Sequence, residues 1–322
     1  MDTRQLWMYK ISKNLAVNPR GLLALSLVNL LKNPLIEKNL LLPKYYKLIE
    51  KHKKDMVALD SVESAIVDQL DRTGICVTSL ESLQVTQTPQ FLAEANCMLE
   101  DLVERASLEI NQDKSMLYCT PKQFLKYPEV FRWGLQERML RIVEGYLRLP
   151  TAYNGCALSY SMPDGNELGD STRLWHVDRH DRRMLKVGVY LNDVDETNGP
   201  FQYLKQDVSS SLPEMGTSTH KYVKSNQESL NSVVGKAGTV FFADTARLVH
   251  RGKPPTHSHR FAIYFAYFSS RPSHPFWCGQ PGFSREELDY MTTPFKPRVK
   301  AAAEWRENLP PILKLLSNHG AS

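Results

Sequence analysis

Two histidines and one aspartate have the types and the spacing of a metal-binding set. In the segment Trp175–Asp178, an extended backbone would point the side chains of His176 and Asp178 to the same side, because residues along a strand alternate between its faces. A second histidine, His250, follows the strand-like run Thr239–Phe242 and a turn. Two imidazoles and one carboxylate on one face of an iron(II) ion leave adjacent positions open, as in non-haem iron oxygenases. The sequence therefore predicts a metal site formed by His176, Asp178 and His250.

A possible anchor for an acidic co-substrate follows the second histidine. Arg260 lies ten residues beyond His250 and begins the most strand-like run of the chain. 2-Oxoglutarate can chelate two of the open positions, with O₂ at the third, and its far carboxylate then needs a partner deep in the core. Arginine suits that role because its planar fork bonds both carboxylate oxygens. Ser159 and Tyr160, on an earlier strand, are further candidates for co-substrate contact. Because side chains alternate along a strand, one of the two points inward. Packing of Tyr160 as an aromatic residue of the core is an equally good explanation for it.

Residues around the first ligands are candidates for binding a substrate. Trp175 adjoins His176 and either lines the pocket or packs in the core. Arg182 and Arg183 end the basic run Arg179–Arg183, and we expect them to bind an anionic group of a small-molecule substrate. A surface salt-bridge cluster would use the same residues.

Other polar residues in this region have simple structural interpretations. Lys186 and Tyr190 share one face of a predicted strand, so either could reach a carboxylate. Asp244 is interpreted as part of a turn. The remaining histidines near the motifs are interpreted as loop or rim residues, namely His180, His257 and His259.

The composition is that of a soluble globular protein. Hydrophobic residues make up 42% of the chain and charged residues 23%, which excludes a mostly disordered protein. The net charge of +5 is mild, and the basic clusters lack interleaved aromatics, so we expect no nucleic-acid partner. The five cysteines contain no CxxC pair, which argues against a disulfide framework or a structural zinc site and favours the cytoplasm.

The apolar stretch Gly21–Val28 is shorter than the roughly 20 residues of a membrane span. We interpret it as an amphipathic helix packed on the protein, with an interfacial membrane helix as the alternative.

The elements that must position these residues change in type along the chain. Helical periodicity dominates the first 150 residues, interrupted by the β-prone run Ile75–Val77 after Gly74. Short β-branched and aromatic runs follow, at 157–161, 185–191, 239–242 and 260–268. The Ser-rich residues 206–234 are predicted to be a surface insertion or a mobile loop. We predict one α+β domain over 1–322: a helical extension over 1–55, a central region over 56–270 with its β core mainly in 156–270, and a helical segment over 271–322.

The order of these motifs resembles the phytanoyl-CoA dioxygenase-like branch of the iron(II)/2-oxoglutarate oxygenases. The resemblance covers about residues 60–270 and is carried by His176-x-Asp178, Leu185–Val194, Asn198–Phe201, His250 and Arg260. It implies a double-stranded β-helix, or jelly-roll, core with helical cover at both ends. It also implies that the three ligands hold iron(II), that Arg260 anchors 2-oxoglutarate and that O₂ is the oxidant.

The activity that the resemblance implies is hydroxylation of an unactivated C–H bond of a small organic molecule. The reaction would be coupled to oxidative decarboxylation of 2-oxoglutarate to succinate and CO₂, and desaturation or cyclisation are variants of it. The chain departs from the family after Pro200, where Phe201–Gln206 replaces a Pro-Gly-Ser-His turn, so the loop that follows is not matched. Asp178 keeps the carboxylate that related halogenases have lost, which disfavours halogenation.

Two alternatives remain open at this point. A cupin-type metal enzyme that does not use 2-oxoglutarate would leave a buried Arg260 as an uncompensated charge. A non-catalytic metal-binding jelly-roll module would not need the complete ligand set together with the arginine, although it could retain them.

Overall fold

The computed structural model describes residues 33–109, 115–163, 171–212, 219–275, 278, 282–311 and 314. The amphipathic helix predicted at Gly21–Val28 lies outside them. The described helices are α1 (Pro34–Ile36), continued by a π-helical turn (Glu37–Leu41), α2 (Leu42–His52), α3 (Ser61–Thr73), α4 (Leu80–Leu83), α5 (Thr88–Glu109), α6 (Pro121–Lys126), α7 (Pro128–Trp133), α8 (Glu137–Leu147), α9 (Gln206–Ser210), α10 (Thr219–Lys224), α11 (Arg285–Thr292) and α12 (Pro297–Ala303). Short 3₁₀ helices occur at Ser171–Arg173, Gln227–Ser229 and Trp305–Asn308. None of the described helices has the length and apolar content needed to cross a membrane.

Two antiparallel sheets form the core. The described strands are β1 (Ile75–Ser79), β2 (Met116–Tyr118), β3 (Thr151–Ser161), β4 (Leu185–Tyr190), β5 (Phe201–Leu204), β6 (Leu230–Val233), β7 (Thr239–Asp244), β8 (His250–Gly252) and β9 (Arg260–Ser269). The large sheet has the order β1-β7-β4-β9-β3-β2, and the small sheet has the order β6-β5-β8. Two stacked antiparallel sheets with helices outside confirm the predicted α+β fold with a jelly-roll core. The first half of the chain also contributes to the large sheet, through β1 and β2.

The two faces of the large sheet have different partners. The outer face packs on the helices through residues such as Val187 and Phe265. The inner face packs on the small sheet, where Phe201 and Phe241 bring their ring centroids within 4.9 Å of each other. Because side chains alternate along each strand, any residue of β4, β7 or β9 can be assigned to one of these two faces.

Helix α3 shows how the local sequence sets the ends of an element. Asp60 caps its first turn by accepting a hydrogen bond from the backbone N–H of Glu63, and the Glu63 side chain accepts one from the backbone of Asp60. Gly74, with a φ of 75°, ends the helix and leads directly into β1. This agrees with the helical periodicity of the first 150 residues and confirms the strand predicted after Gly74.

Residues 206–234, predicted to be a surface insertion or a mobile loop, contain regular elements. The described part of this segment contains the helices α9 and α10 and the strand β6, which pairs with β5. Val208 and Tyr222 pack with Leu204 on the outer face of the small sheet. These few apolar contacts could not be predicted from the Ser-rich composition, because they are made with residues distant in sequence.

Gly188 is required by close packing inside the core. A Cβ at this position would lie 2.2 Å from Cζ of Phe241. We expect Gly188→Ala to destabilise the fold by about 1–3 kcal/mol, the usual cost of overpacking a core, because the ring is confined by Phe201 and Tyr190. Urea unfolding measures the effect, and adding Phe241→Leu should restore part of the loss. An unchanged unfolding midpoint in Gly188→Ala would contradict this packing.

Asp244 is buried at the end of β7 and joins several elements. Its Oδ1 accepts hydrogen bonds from the backbone of Met184 at 3.3 Å and of Ala246 at 3.1 Å, and its Oδ2 accepts one from the Tyr146 hydroxyl at 2.5 Å. Burial raises the pKa of this carboxyl to about 6, although these hydrogen bonds and nearby arginines oppose the shift. These contacts agree with the structural interpretation of Asp244.

The raised pKa of Asp244 gives a pH-dependent prediction. Because the folded-state pKa of about 6 lies above the ordinary aspartate value of 3.8, the stabilising effect of the neutral carboxyl is present below about pH 4 and is lost as the pH rises through 6. We therefore expect the melting temperature of Asp244→Asn, relative to the unmodified protein, to rise between pH 4 and pH 7. Asp193→Asn is the matched control with the opposite trend, because hydrogen bonding to Lys236 lowers the pKa of Asp193. A flat difference for Asp244→Asn would contradict the prediction.

Candidate metal centre

The three predicted ligands meet at the edge of the small sheet. His250 lies in β8, and His176 pairs with it as an antiparallel bridge, with backbone hydrogen bonds of 2.9 and 3.0 Å between the two residues. Two residues after His176, the backbone N–H of Asp178 donates to the carbonyl of Thr245 at 2.9 Å, and this hydrogen bond holds that part of the chain in place. Alternation then points His176 and Asp178 to the same side, as predicted. Among the described residues, these three form the group able to hold a metal ion, with ligand atoms within 4.8 Å of one another.

Backbone carbonyls orient both imidazole rings. Nδ1 of His176 lies 2.7 Å from the carbonyl oxygen of Leu174, and Nδ1 of His250 lies 2.9 Å from that of Leu248. A ring that donates its Nδ1–H in this way presents the lone pair of Nε2 to the centre, as a metal-ligating histidine does. Nε2 of His250 is buried and has no hydrogen-bond partner among the described residues. A buried nitrogen of this kind fits a metal ligand, because a metal ion would satisfy it.

The protonation states also suit a metal ion. Burial, followed by the neighbouring His176, lowers the pKa of His250 to about 3, so that its ring is neutral at physiological pH. Burial acts to raise the pKa of Asp178, but the ammonium of Lys186, followed by the two adjacent imidazoles, outweighs it and holds the pKa well below its usual range. Neutral imidazoles and an ionised carboxylate are the forms that bind metal ions. The donor set of two nitrogens and one oxygen fits iron(II).

Arg260 is buried beside the same site. Its Nη2 donates to the hydroxyl of Ser161 at 3.3 Å, and its Nη1 lies 3.5 Å from the carbonyl of Lys253, the limit for a hydrogen bond. Its Nε is buried without a hydrogen-bond partner, and no described carboxylate forms an ion pair with it. Such a guanidinium can bind an anionic ligand, since a buried charge is stable when it is paired.

The pairing of β3 with β9 places Ser159 and Tyr160, the two predicted co-substrate contacts, on opposite faces of the sheet. Ser159 pairs with Ala262 and lies on the same face as Arg260, and its hydroxyl donates to the carbonyl of Ala262 at 3.3 Å. Tyr160 lies on the other face and stacks on Phe261, with ring centroids 4.7 Å apart. The structure therefore does not bring Tyr160 to the site, and the core-aromatic interpretation describes it. Ser161, which sequence reasoning missed, lies directly opposite Arg260; its position two residues after Ser159 was the available signal.

Trp175 lies outside the pocket, contrary to the expectation that it binds substrate. It packs with Leu204 and Val249 on the outer face of the small sheet, and the guanidinium of Arg251 lies 4.7 Å from its ring centroid. The physical reason is alternation: because His176 points inward, Trp175 must point outward.

Arg182 and Arg183 make contacts within the protein. Arg182 donates to Glu37 at 2.7 Å and to Ser273 at 2.6 Å. Arg183 donates to Asp71 at 2.9 Å and to the carbonyl of Tyr146 at 2.8 Å. These contacts tie the helical cover to the sheet and agree with the salt-bridge interpretation. Substrate binding by the two arginines stays a prediction, which these contacts do not support.

Lys186 and Tyr190 both lie on the inner face of β4 but have different partners. The ammonium of Lys186 reaches a carboxylate, that of Asp178, with Nζ 2.7 Å from Oδ2. The hydroxyl of Tyr190 donates to the carbonyl of Val233 at 2.8 Å and accepts from the backbone N–H of Phe201 at 3.0 Å, so it links the two sheets. Lys186 therefore belongs to the site, and Tyr190 belongs to the core.

Solved structures similar to this chain include those of AviO1, HygX and SnoK. No protein-family model and no curated protein sequence matches the chain. AviO1 from Streptomyces viridochromogenes Tue57 is 20% identical, over 67% of this chain and 98% of AviO1, with a TM-score of 0.49. HygX from Streptomyces hygroscopicus, solved with nickel and 2-oxoglutarate bound, is 15% identical over 66% of this chain and 88% of HygX, with a TM-score of 0.45. SnoK, a non-heme alpha ketoglutarate dependent carbocyclase from nogalamycin biosynthesis, is 16% identical over 66% of this chain and 85% of SnoK, with a TM-score of 0.47. At these identities and TM-scores, none of the three assigns a residue role, a ligand or a substrate to this chain.

Proposed function

We propose that this chain is an iron(II)- and 2-oxoglutarate-dependent oxygenase that hydroxylates an unactivated C–H bond of a small organic molecule. The observation that carries the proposal is a His–Asp–His cluster beside the buried Arg260, which has no described counter-ion. A metal ion with three protein ligands has positions for the 2-oxo acid end of the co-substrate. A guanidinium binds the far carboxylate through two parallel hydrogen bonds.

The position of Arg260 relative to the metal-ligand cluster supports 2-oxoglutarate as the co-substrate. Gly252 follows His250 by two residues in β8, so that their Cα atoms are about 6.6 Å apart along an extended strand. A Cβ at Gly252 would lie 3.2 Å from Nη2 of Arg260, which places the guanidinium beside this end of the strand. The guanidinium therefore lies beside the strand position two residues from His250, where it can bind the far carboxylate of a metal-bound dicarboxylate such as 2-oxoglutarate.

The residues around the site divide into a closed side and an open side. On the closed side, Phe201 stacks on His250 with ring centroids 5.5 Å apart and keeps water from that ligand. On the open side, partly exposed residues occupy the inner face of the large sheet, namely Ala157, Lys186, Tyr264 and Ala266. A small molecule would enter on this side, where two of the lining residues are alanines that leave room for it.

The chemistry in this proposal is divided between the metal ion and the chain. Bound iron(II) would supply the activation of O₂ that couples decarboxylation of 2-oxoglutarate to succinate and CO₂ with oxidation of the substrate. His176, Asp178 and His250 would hold the ion, and Arg260 would orient the co-substrate by its far carboxylate. Ser161 shares the face of Arg260 and, while accepting from its guanidinium, can donate its hydroxyl hydrogen to the same ligand. Ser159 lies on that face too, but its hydroxyl donates to the carbonyl of Ala262.

Anaerobic titration tests the proposal directly. Iron(II) and 2-oxoglutarate together should give a weak visible charge-transfer band in the unmodified protein, and His176→Ala should abolish it. In air, succinate should form from 2-oxoglutarate. A protein that binds iron but shows no band dependent on 2-oxoglutarate, and releases no succinate, would be a metal enzyme of another kind or a binding module, and the proposal would be wrong.

A further inference from the structure

Lys186 is a charged residue in the core that the metal-ligand set does not explain. Its strand, β4, lies between β7 and β9, and its register partners are Ala243 and Ala266. Because both neighbours are alanines, the long side chain has room to extend across the inner face of the sheet. Its ammonium ends 2.7 Å from Oδ2 of Asp178, and no other described carboxylate forms an ion pair with it.

The two oxygens of Asp178 have different surroundings. Oδ1 lies 3.8 Å from Nε2 of His176. Oδ2 is buried and lies 3.9 Å from Nε2 of His250, with the ammonium of Lys186 closer than either ring. The approach of Lys186 is that of an ion pair, without the direction of a well-formed hydrogen bond. A cation on one oxygen disfavours a second cation on that oxygen, because like charges repel.

We propose that Lys186 is a positioning residue, which occupies Oδ2 of Asp178 so that the carboxylate binds the metal ion through Oδ1 alone. This inference rests on the proposed function. A carboxylate can bind a metal ion through one or both of its oxygens. Binding through both would take one of the positions that the co-substrate and O₂ require. The ion pair therefore keeps those positions open.

The number of water molecules on a bound Mn²⁺ ion tests this inference without measuring activity. Pulsed EPR in ¹⁷O-enriched water counts them on the full chain, with no 2-oxoglutarate present. We expect three waters in the unmodified protein and two in Lys186→Met, which keeps the length of the side chain but loses its charge. Lys186→Arg retains a cation and should keep three. Lys186→Met should also weaken 2-oxoglutarate binding, because the second oxygen of Asp178 would take one of the metal positions that the co-substrate requires.

Lys236 provides the matched control. Its ammonium also lies 2.7 Å from an aspartate oxygen, that of Asp193, but this pair is exposed. Lys236→Met should therefore keep three waters and unchanged 2-oxoglutarate binding.

The outcomes separate this inference from the proposed function. Three waters in both the unmodified protein and a folded Lys186→Met would overturn the role of Lys186 and leave the proposed function intact. Loss of Mn²⁺ from a folded Lys186→Met would also overturn it, because the lysine would then be needed for binding itself. If Lys186→Met does not fold, Lys186→Gln answers the same question. An unmodified protein that binds no metal ion, or shows fewer than three waters, contradicts the proposed function.

Discussion

Replacing Arg260 with methionine is expected to abolish detectable 2-oxoglutarate binding without lowering the stability of the ligand-free protein. Arg260 is 3% exposed, and no described carboxylate pairs with its guanidinium. Its removal deletes a buried charge that the protein itself does not compensate, so the melting temperature should be unchanged or higher. The co-substrate, in contrast, would lose the partner of a buried carboxylate. Such a loss costs about 2–5 kcal/mol, or roughly 30- to 5,000-fold in Kd.

Arg173 is the matched control for this prediction. It is as deeply buried as Arg260, at 1% exposed, but its hydrogen bond to the carbonyl of Ser115, at 2.8 Å, is shorter than the contacts of 3.3 and 3.5 Å that Arg260 makes with Ser161 and Lys253. Arg173→Met should therefore lower the melting temperature. Arg260→Lys keeps the charge but loses the two-pronged geometry, and should bind 2-oxoglutarate with intermediate affinity.

Thermal shift and calorimetry on the metal-loaded protein provide the two measurements. A fall in the melting temperature of ligand-free Arg260→Met, with 2-oxoglutarate affinity preserved, would show that Arg260 is a structural residue. The co-substrate assignment would then fail even if the metal site were correct.

The sequence predicted that His176 and Asp178 lie together because alternation is a local rule. His176 and Asp178 are two residues apart, so an extended backbone alone places them on one side. The same rule, applied one residue earlier, would have turned Trp175 outward. It would also have separated Ser159 from Tyr160 once β3 was aligned with β9, since Arg260 defines which face is inward.

The parts that could not be predicted depend on contacts between distant residues. Arg182 and Arg183 are neighbours in sequence, but they bind Glu37 and Asp71, which are 145 and 112 residues away. The strands of the small sheet have only three or four residues, too few to show a periodic pattern. The sequence indicated that Lys186 could reach a carboxylate, but which carboxylate is determined by where the bridge between β8 and His176 places Asp178.

Replacing His250 with alanine is expected to weaken metal binding by more than about 100-fold. Loss of an outer-shell partner alone costs roughly 10- to 100-fold, and His250 is predicted to be a direct ligand. Its Nε2 is buried without a partner, and its Nδ1 is held by the carbonyl of Leu248, so the ring cannot turn a different nitrogen to the centre without losing that contact. Anaerobic calorimetry with Fe²⁺ or Co²⁺ measures the loss.

His257 is the control for this experiment, because it is an exposed loop residue outside the ligand cluster. His257→Ala should bind the metal ion as the unmodified protein does. His250→Gln, which retains more of the side-chain volume beside Phe201, separates the loss of the ligand from the loss of packing. If folded His250→Ala and His257→Ala bound the ion equally well, the cluster of His176, Asp178 and His250 would not be the metal site. The buried nitrogen of His250 would then need another explanation, since an unsatisfied polar atom in a core costs about 1–3 kcal/mol and is seldom retained without a partner.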